Sequence, residues 1–99
     1  MSVIAITRFK SDPADADELR ARHAALVTAL RAELPGPSDA WLGRVDDESW
    51  VGVWRWASTE HMEAAQALAQ SRPEAAAAFA LAKDVTGEAF DLVDDVTGP

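Results

Sequence analysis

Four tryptophans and two histidines carry most of the chemistry open to this chain, which has no Cys and no Tyr. Trp41, Trp50, Trp54 and Trp56 crowd into one stretch, and each indole offers a flat apolar wall with a single N–H donor. That combination suits a planar aromatic ligand, although the same rings fill the core of many small domains. Histidine is the side chain best suited to general-base work near neutral pH, which makes His23 and His61 the natural candidates for a base. The plainer reading makes His23 a hydrogen-bonded, half-buried residue and His61 a solvated one. Without Cys there is no disulfide, thiolate cage or Cys nucleophile. The two histidines and one carboxylate could in principle hold iron, but no spacing singles such a site out, so no metal is expected. The chain also lacks a phosphate-binding glycine loop and a nucleophile elbow.

The whole chain must be built to position these residues, and its composition limits how. The 99 residues carry nine Lys plus Arg against seventeen Asp plus Glu, a formal net charge of -8. Such a surface repels nucleic-acid phosphates and anionic lipid, so neither is an expected partner. The start, Met1-Ser2-Val3-Ile4-Ala5-Ile6, has no basic region ahead of a long apolar run, and no stretch approaches the ~18 apolar residues of a membrane span. The expected compartment is the cytoplasm. Residues 1–99 are expected to form one domain. A chain of this length buries only roughly 60 to 70% of its unfolded surface, which favours a partner subunit that completes the core.

The elements read as follows. A first strand over 3–10 ends at Ser11-Asp12-Pro13, where Asp12 can cap a helix and Pro13 fits its first turn. The helix is expected over 13–34, with Leu19, His23, Leu26, Leu30 and Leu34 on one apolar stripe. Pro35-Gly36-Pro37-Ser38 ends it. Strands over 40–45 and 50–56 form a hairpin around Asp46-Asp47-Glu48-Ser49. An even turn would set Val45 opposite Trp50, Gly43 opposite Gly52 and Trp41 opposite Trp54, all on one face, with a glycine notch beside the tryptophans. An odd turn would break that register. Ser58 starts a helix over 59–70, on which His61, Ala65 and Leu68 share a line. Ser71 and Glu74 make a capping box for an alanine-rich helix over 72–83, and a final strand covers 88–94.

Strand, helix, strand, strand, helix pair, strand is the order of an α+β, ferredoxin-like split βαβ fold, with a four-stranded antiparallel sheet and helices on one face. The first strand is apolar on both faces, since Ile4 and Ile6 alternate with Val3 and Ala5. The second face would be hidden if two sheets packed together, which predicts a symmetric homodimer.

This order, with Trp54-Arg55-Trp56 closing the third strand before Ser58-Thr59, resembles the antibiotic biosynthesis monooxygenase (ABM) domains of the dimeric α+β barrel superfamily. The resemblance runs from Val3 to about Val96, and its most specific part is Trp56-Ala57-Ser58 with the helix that follows. It implies a barrel of two sheets and a pocket between sheet and helices, with Trp56 at the pocket. For some members it implies oxygenation of polycyclic phenols with no metal or organic cofactor. Thr7 stands where the haem-degrading branch carries an Asn on the first strand, which makes it a candidate binding residue. That branch also places a His on the helix after the tryptophan, where this chain has none, the nearest position being about Ala78. Haem is therefore not expected. ABM oxygenases tend to use a pocket Tyr, and this chain has no Tyr, so their mechanism does not transfer directly.

The leading expectation is a cofactor-independent monooxygenase that binds a planar aromatic or polycyclic phenol against Trp56, Trp54 and Trp41, beside Thr7, with His61 or His23 as base. A non-catalytic small-molecule binder or structural dimer, and an isomerase or cyclase on the same scaffold, are the alternatives. Arg8 and Arg55 are expected on the face away from the tryptophans.

Overall fold

The computed structural model describes residues 2–33 and 37–94, so Leu34, Pro35, Gly36, Asp95 and Val96 lie outside the described residues. In chain order the elements are β1 (Val3–Lys10), a 3-10 turn (Pro13–Asp15), α1 (Ala16–Glu33), β2 (Asp39–Arg44), β3 (Ser49–Trp56), α2 (Thr59–Ala69), α3 (Pro73–Phe79) and β4 (Lys83–Asp91). The sheet runs β2-β3-β1-β4 with every neighbouring pair antiparallel. This is the expected ferredoxin-like arrangement.

Local chemistry explains where the chain turns. Ala14 N–H donates to Asp12 Oδ1 at 2.9 Å, and Pro13 follows that cap with no N–H to lose. Leu19, Leu26 and Leu30 are buried along α1, with His23 half-buried in the same stripe. At the start of α2, Ser58 Oγ accepts from His61 N–H at 3.1 Å. The start of α3 differs from expectation. Its cap is Arg72 without a side-chain hydrogen bond, Pro73 supplies the first turn, and the Ser71 hydroxyl donates backwards to Leu68 O.

The hairpin register is one residue away from the even-turn reading. Asp46 Oδ1 accepts from Glu48 N–H and Ser49 N–H at 2.9 and 2.8 Å, and Val45 N–H donates to Ser49 O at 2.8 Å. Those bonds close an odd loop. The same bonds from Glu48 and Ser49 hold the Asp46 carboxyl below its ordinary pKa. Arg44 reinforces the loop by donating to Asp46 O and Asp47 O. In consequence Ala40 pairs with Trp54, Leu42 with Gly52 and Trp41 with Val53. Trp41 and Gly43 therefore sit on the face opposite Trp54 and Gly52, and the two-glycine notch does not form.

The last strand begins at Lys83 rather than near 88, because α3 stops at Phe79 and a turn carries the chain back (Ala82 N–H to Phe79 O, 3.0 Å). Asp84 takes a positive φ of 52° close to the register shift opposite Arg8–Lys10, a conformation that Asp tolerates better than most residues. All nine residues of β4 are exposed.

One face of the sheet presents Val3, Ala5, Thr7 and Phe9 from β1 and Trp50, Gly52, Trp54 and Trp56 from β3. The helices cover that face. The core joins Val3 and Trp56 to Leu26 and Leu30 of α1, Met62 and Ala65 of α2, and Ala75 of α3. The other face carries Ile4, Ile6, Val51 and Val53, flanked by Trp41 on β2 and Phe90 on β4. Trp41 and Phe90 are 51% and 45% exposed. Arg8 and Arg55 lie on this face as expected, and Arg8 pairs with Glu88 at 2.6 Å. No helix among the described residues is long and apolar enough to cross a membrane.

Candidate active site between sheet and helices

Packing three helices on the sheet leaves a cavity of about 420 Å³ along the inner face of β1 and β3. Its floor is Ala5, Thr7, Trp54 and Trp56, its sides are Leu26 and Leu30 of α1, and α2 and α3 close it with small residues such as Ala65, Ala69, Ala75 and Ala76. The alanine-rich sequence thus has a spatial role. Short side chains let the helices lie close while leaving the volume unfilled. A smaller annex of about 50 Å³ continues past Trp54 toward His23 and shares Thr7, Leu26, Trp54 and Phe79 with the main cavity.

Trp54 and Trp56 project to the same face because side chains alternate along a strand. Their rings are 8° from parallel, with centroids 6.1 Å apart. They form a stacked aromatic pair in the cavity lining. Gly52 makes room for it, because a Cβ at that position would lie 3.3 Å from Trp54 Nε1. Trp56 is 4% exposed, and its Nε1–H has no acceptor among the described residues. A buried donor without a partner costs about 1–3 kcal/mol.

The histidines differ. His23 meets Trp54 from the helix side, with ring centroids 5.3 Å apart at 54°. Its Nε2 is buried and has no hydrogen-bond partner among the described residues, and burial lowers its pKa below the ordinary 6.5. A neutral imidazole at pH 7 can act as a base. His61 donates its backbone N–H to the Ser58 cap and lines neither cavity nor annex, since the face of α2 turned to the cavity is Ala65, Gln66, Ala69 and Gln70.

The structure therefore brings Trp54, Trp56 and Thr7 to one cavity and His23 to its annex, and leaves His61 and Trp41 outside both. Gln66, Gln70 and Phe79 line the cavity without having been singled out from the sequence. Met62, Ala65 and Ala69 mark the inner line of α2, and that spacing was the available signal for the two glutamines beside it.

No protein-family model matches the chain, and no curated protein matches it. Solved structures do. SnoaB, a cofactor-independent oxygenase from Streptomyces nogalater, is 26% identical, with a TM-score of 0.73 and 98% of each chain covered. A candidate antibiotic biosynthesis monooxygenase from Caulobacter crescentus is 20% identical, with a TM-score of 0.72 over 94% of this chain and 91% of that one. The chain has the antibiotic biosynthesis monooxygenase fold. A variant of MhuD with two manganese protoporphyrin IX molecules bound per active site is 25% identical, with a TM-score of 0.68 over 97% of this chain and 99% of that one. In the present ABM fold, no His or other axial haem ligand lines the main cavity, so the lining does not fit a ligated haem. Likewise, no cluster of His, Asp or Glu among the described residues could hold a metal ion.

Proposed function

We propose that this ABM-fold protein is a homodimeric, cofactor-independent oxygenase of planar, electron-rich aromatic compounds such as anthrones and hydroquinones. The reading is carried by one observation, the parallel Trp54–Trp56 pair lining an apolar cavity with a half-buried His23 against Trp54. The likeness to SnoaB supports it.

The chemistry follows from the residues. A flat substrate packs against the indoles with an oxygen toward the Thr7 hydroxyl of the cavity floor, which stabilises negative charge as it forms. His23 takes a proton from the reacting CH2 or its enol form, directly or through one water in the annex. The resulting carbanion is electron-rich enough to reduce oxygen. One electron passes to O2, and the two radicals join as a C–O–O bond. His23 returns its proton to the peroxide, the second C–H proton leaves, and the O–O bond breaks to give a carbonyl and water. In total CH2 + O2 becomes C=O + H2O, all four electrons come from the substrate, and no external reductant is needed. The enclosed site limits water and side reactions.

The uncovered sheet face with Ile6, Val53, Trp41 and Phe90 supports the homodimer, because a second copy would remove that patch from water.

Oxygen consumption by an anthrone tests the function. The protein should accelerate it above the spontaneous rate, and His23→Ala should remove the acceleration. Equal rates with and without protein overturn the oxygenase reading. A second reading, a non-catalytic binder, is favoured by the absence of any titratable side chain from the main cavity's own lining. It predicts saturable binding with the ligand recovered unchanged.

A further inference from the structure

We infer that Gln66 and Gln70 form the polar edge of the cavity and select uncharged, oxygen-bearing polycycles, an inference that rests on the aromatic-ligand reading above. The two amides are four residues apart, one turn along α2 and its cap, so they stand side by side on one face. Both line the cavity, and both are exposed, which places them at its mouth. Thr7 is the other polar, uncharged residue of the lining and belongs to the sheet floor, while the remainder is alanine, leucine and aromatic.

The distribution of polarity dictates the ligand. A flat molecule in the cavity meets the hydroxyl of Thr7 on the sheet floor and the paired amides at the mouth. A primary amide both donates and accepts, so it serves a phenol hydroxyl or a quinone carbonyl equally well. It brings no charge. An anionic substituent inside this lining would lose its hydration with no cation to replace it, and the net charge of -8 adds to the penalty. A pure hydrocarbon would leave the amides as they are in the free protein, and gains nothing from them. The selected class is therefore a neutral tricyclic or similar ring system that carries an oxygen at the edge facing the mouth.

Fluorescence titration of the tryptophans tests this with three probes of similar width: 1,8-dihydroxyanthraquinone, anthracene and anthraquinone-2-sulfonate. The wild-type protein should bind the dihydroxyquinone most tightly and the sulfonate at least tenfold more weakly. In Gln66→Leu/Gln70→Leu the preference for the dihydroxyquinone over anthracene should fall by about tenfold, the loss of two ordinary hydrogen bonds. Both sites are exposed, so the far-ultraviolet circular dichroism of this variant should match the wild type. An unchanged preference in a folded variant overturns the role of the glutamines and leaves the aromatic site standing. Equal affinity for the sulfonate overturns the selection for neutral ligands. Absence of saturable binding by all three in the wild type overturns the aromatic site and this inference with it.

Discussion

His23 and Trp54 face each other across the seam between α1 and the sheet, with ring centroids 5.3 Å apart and planes tilted by 54°. This contact links the titratable residue of the helix stripe to the aromatic wall of the cavity. If His23 is the base, His23→Ala should lower the rate of anthrone oxidation by about a hundredfold or more, within the range of general-base catalysis. His61→Ala should leave the rate within about twofold, because losing an ordinary side chain outside the cavity touches no reacting group. Oxygen-electrode rates for the two variants check both statements.

The same burial makes stability depend on pH. The folded protein holds the His23 pKa below the 6.5 of the free side chain, so the unfolded chain binds the proton more readily. The stability this contributes is complete above pH 6.5 and is lost as pH falls from there through the folded pKa. Urea unfolding between pH 7.5 and 5 should show that decline, and His23→Gln should flatten it. Rates under the oxygenase reading should fall over the same interval as the base becomes protonated.

Gly52 is where the aromatic wall is most easily disturbed. A β-branched side chain there meets Trp54 Nε1, which already lies 3.3 Å from the position of an added Cβ. Gly52→Val should destabilise the protein by about 1–3 kcal/mol and shift the tryptophan emission as the indole moves. Urea denaturation followed by fluorescence measures both.

Trp56 separates packing from binding. Trp56→Ala empties a core position shared with Val3, Leu26, Leu30 and Met62, and should cost about 3–5 kcal/mol in urea denaturation. Trp56→Phe keeps an aromatic ring and removes the unpaired N–H, so it should cost less than Trp56→Ala. Its affinity for a planar polycycle should nonetheless fall, because the ring that lines the cavity is smaller, as read by quenching of the remaining tryptophans.

The outer face of the sheet tests the dimer. Ile6→Arg places a charge in the middle of the patch between Val53 and Glu88. Sedimentation of the wild type at micromolar concentration should give a species of twice 10.6 kDa, and the variant should sediment near 10.6 kDa. A wild type that stays at 10.6 kDa excludes the homodimer.

Much of the fold was legible in the sequence because its signals are local. Asp12-Pro13 and Ser58 are helix starts whose caps form within a few residues, and the leucine stripe of α1 needs only the helical repeat. Trp54 and Trp56 share a face through strand alternation alone. Trp41 was not legible in this way. Its face depends on whether the hairpin loop is odd or even, and the side chain of Asp46 decides that by accepting from Glu48 and Ser49. The choice between the histidines needed the fold as well, since both are one polar residue on a helix until packing sets His23 against Trp54 and turns His61 away. The end of α3 and the early start of β4 depended on the turn after Phe79 and on the length of β1 available for pairing. The sequence by itself determined the elements, their order and the aromatic composition of the inner face. Only the tertiary structure decided which residues share the cavity, because a cavity is the space left between elements distant in the chain, and no local repeat records its shape.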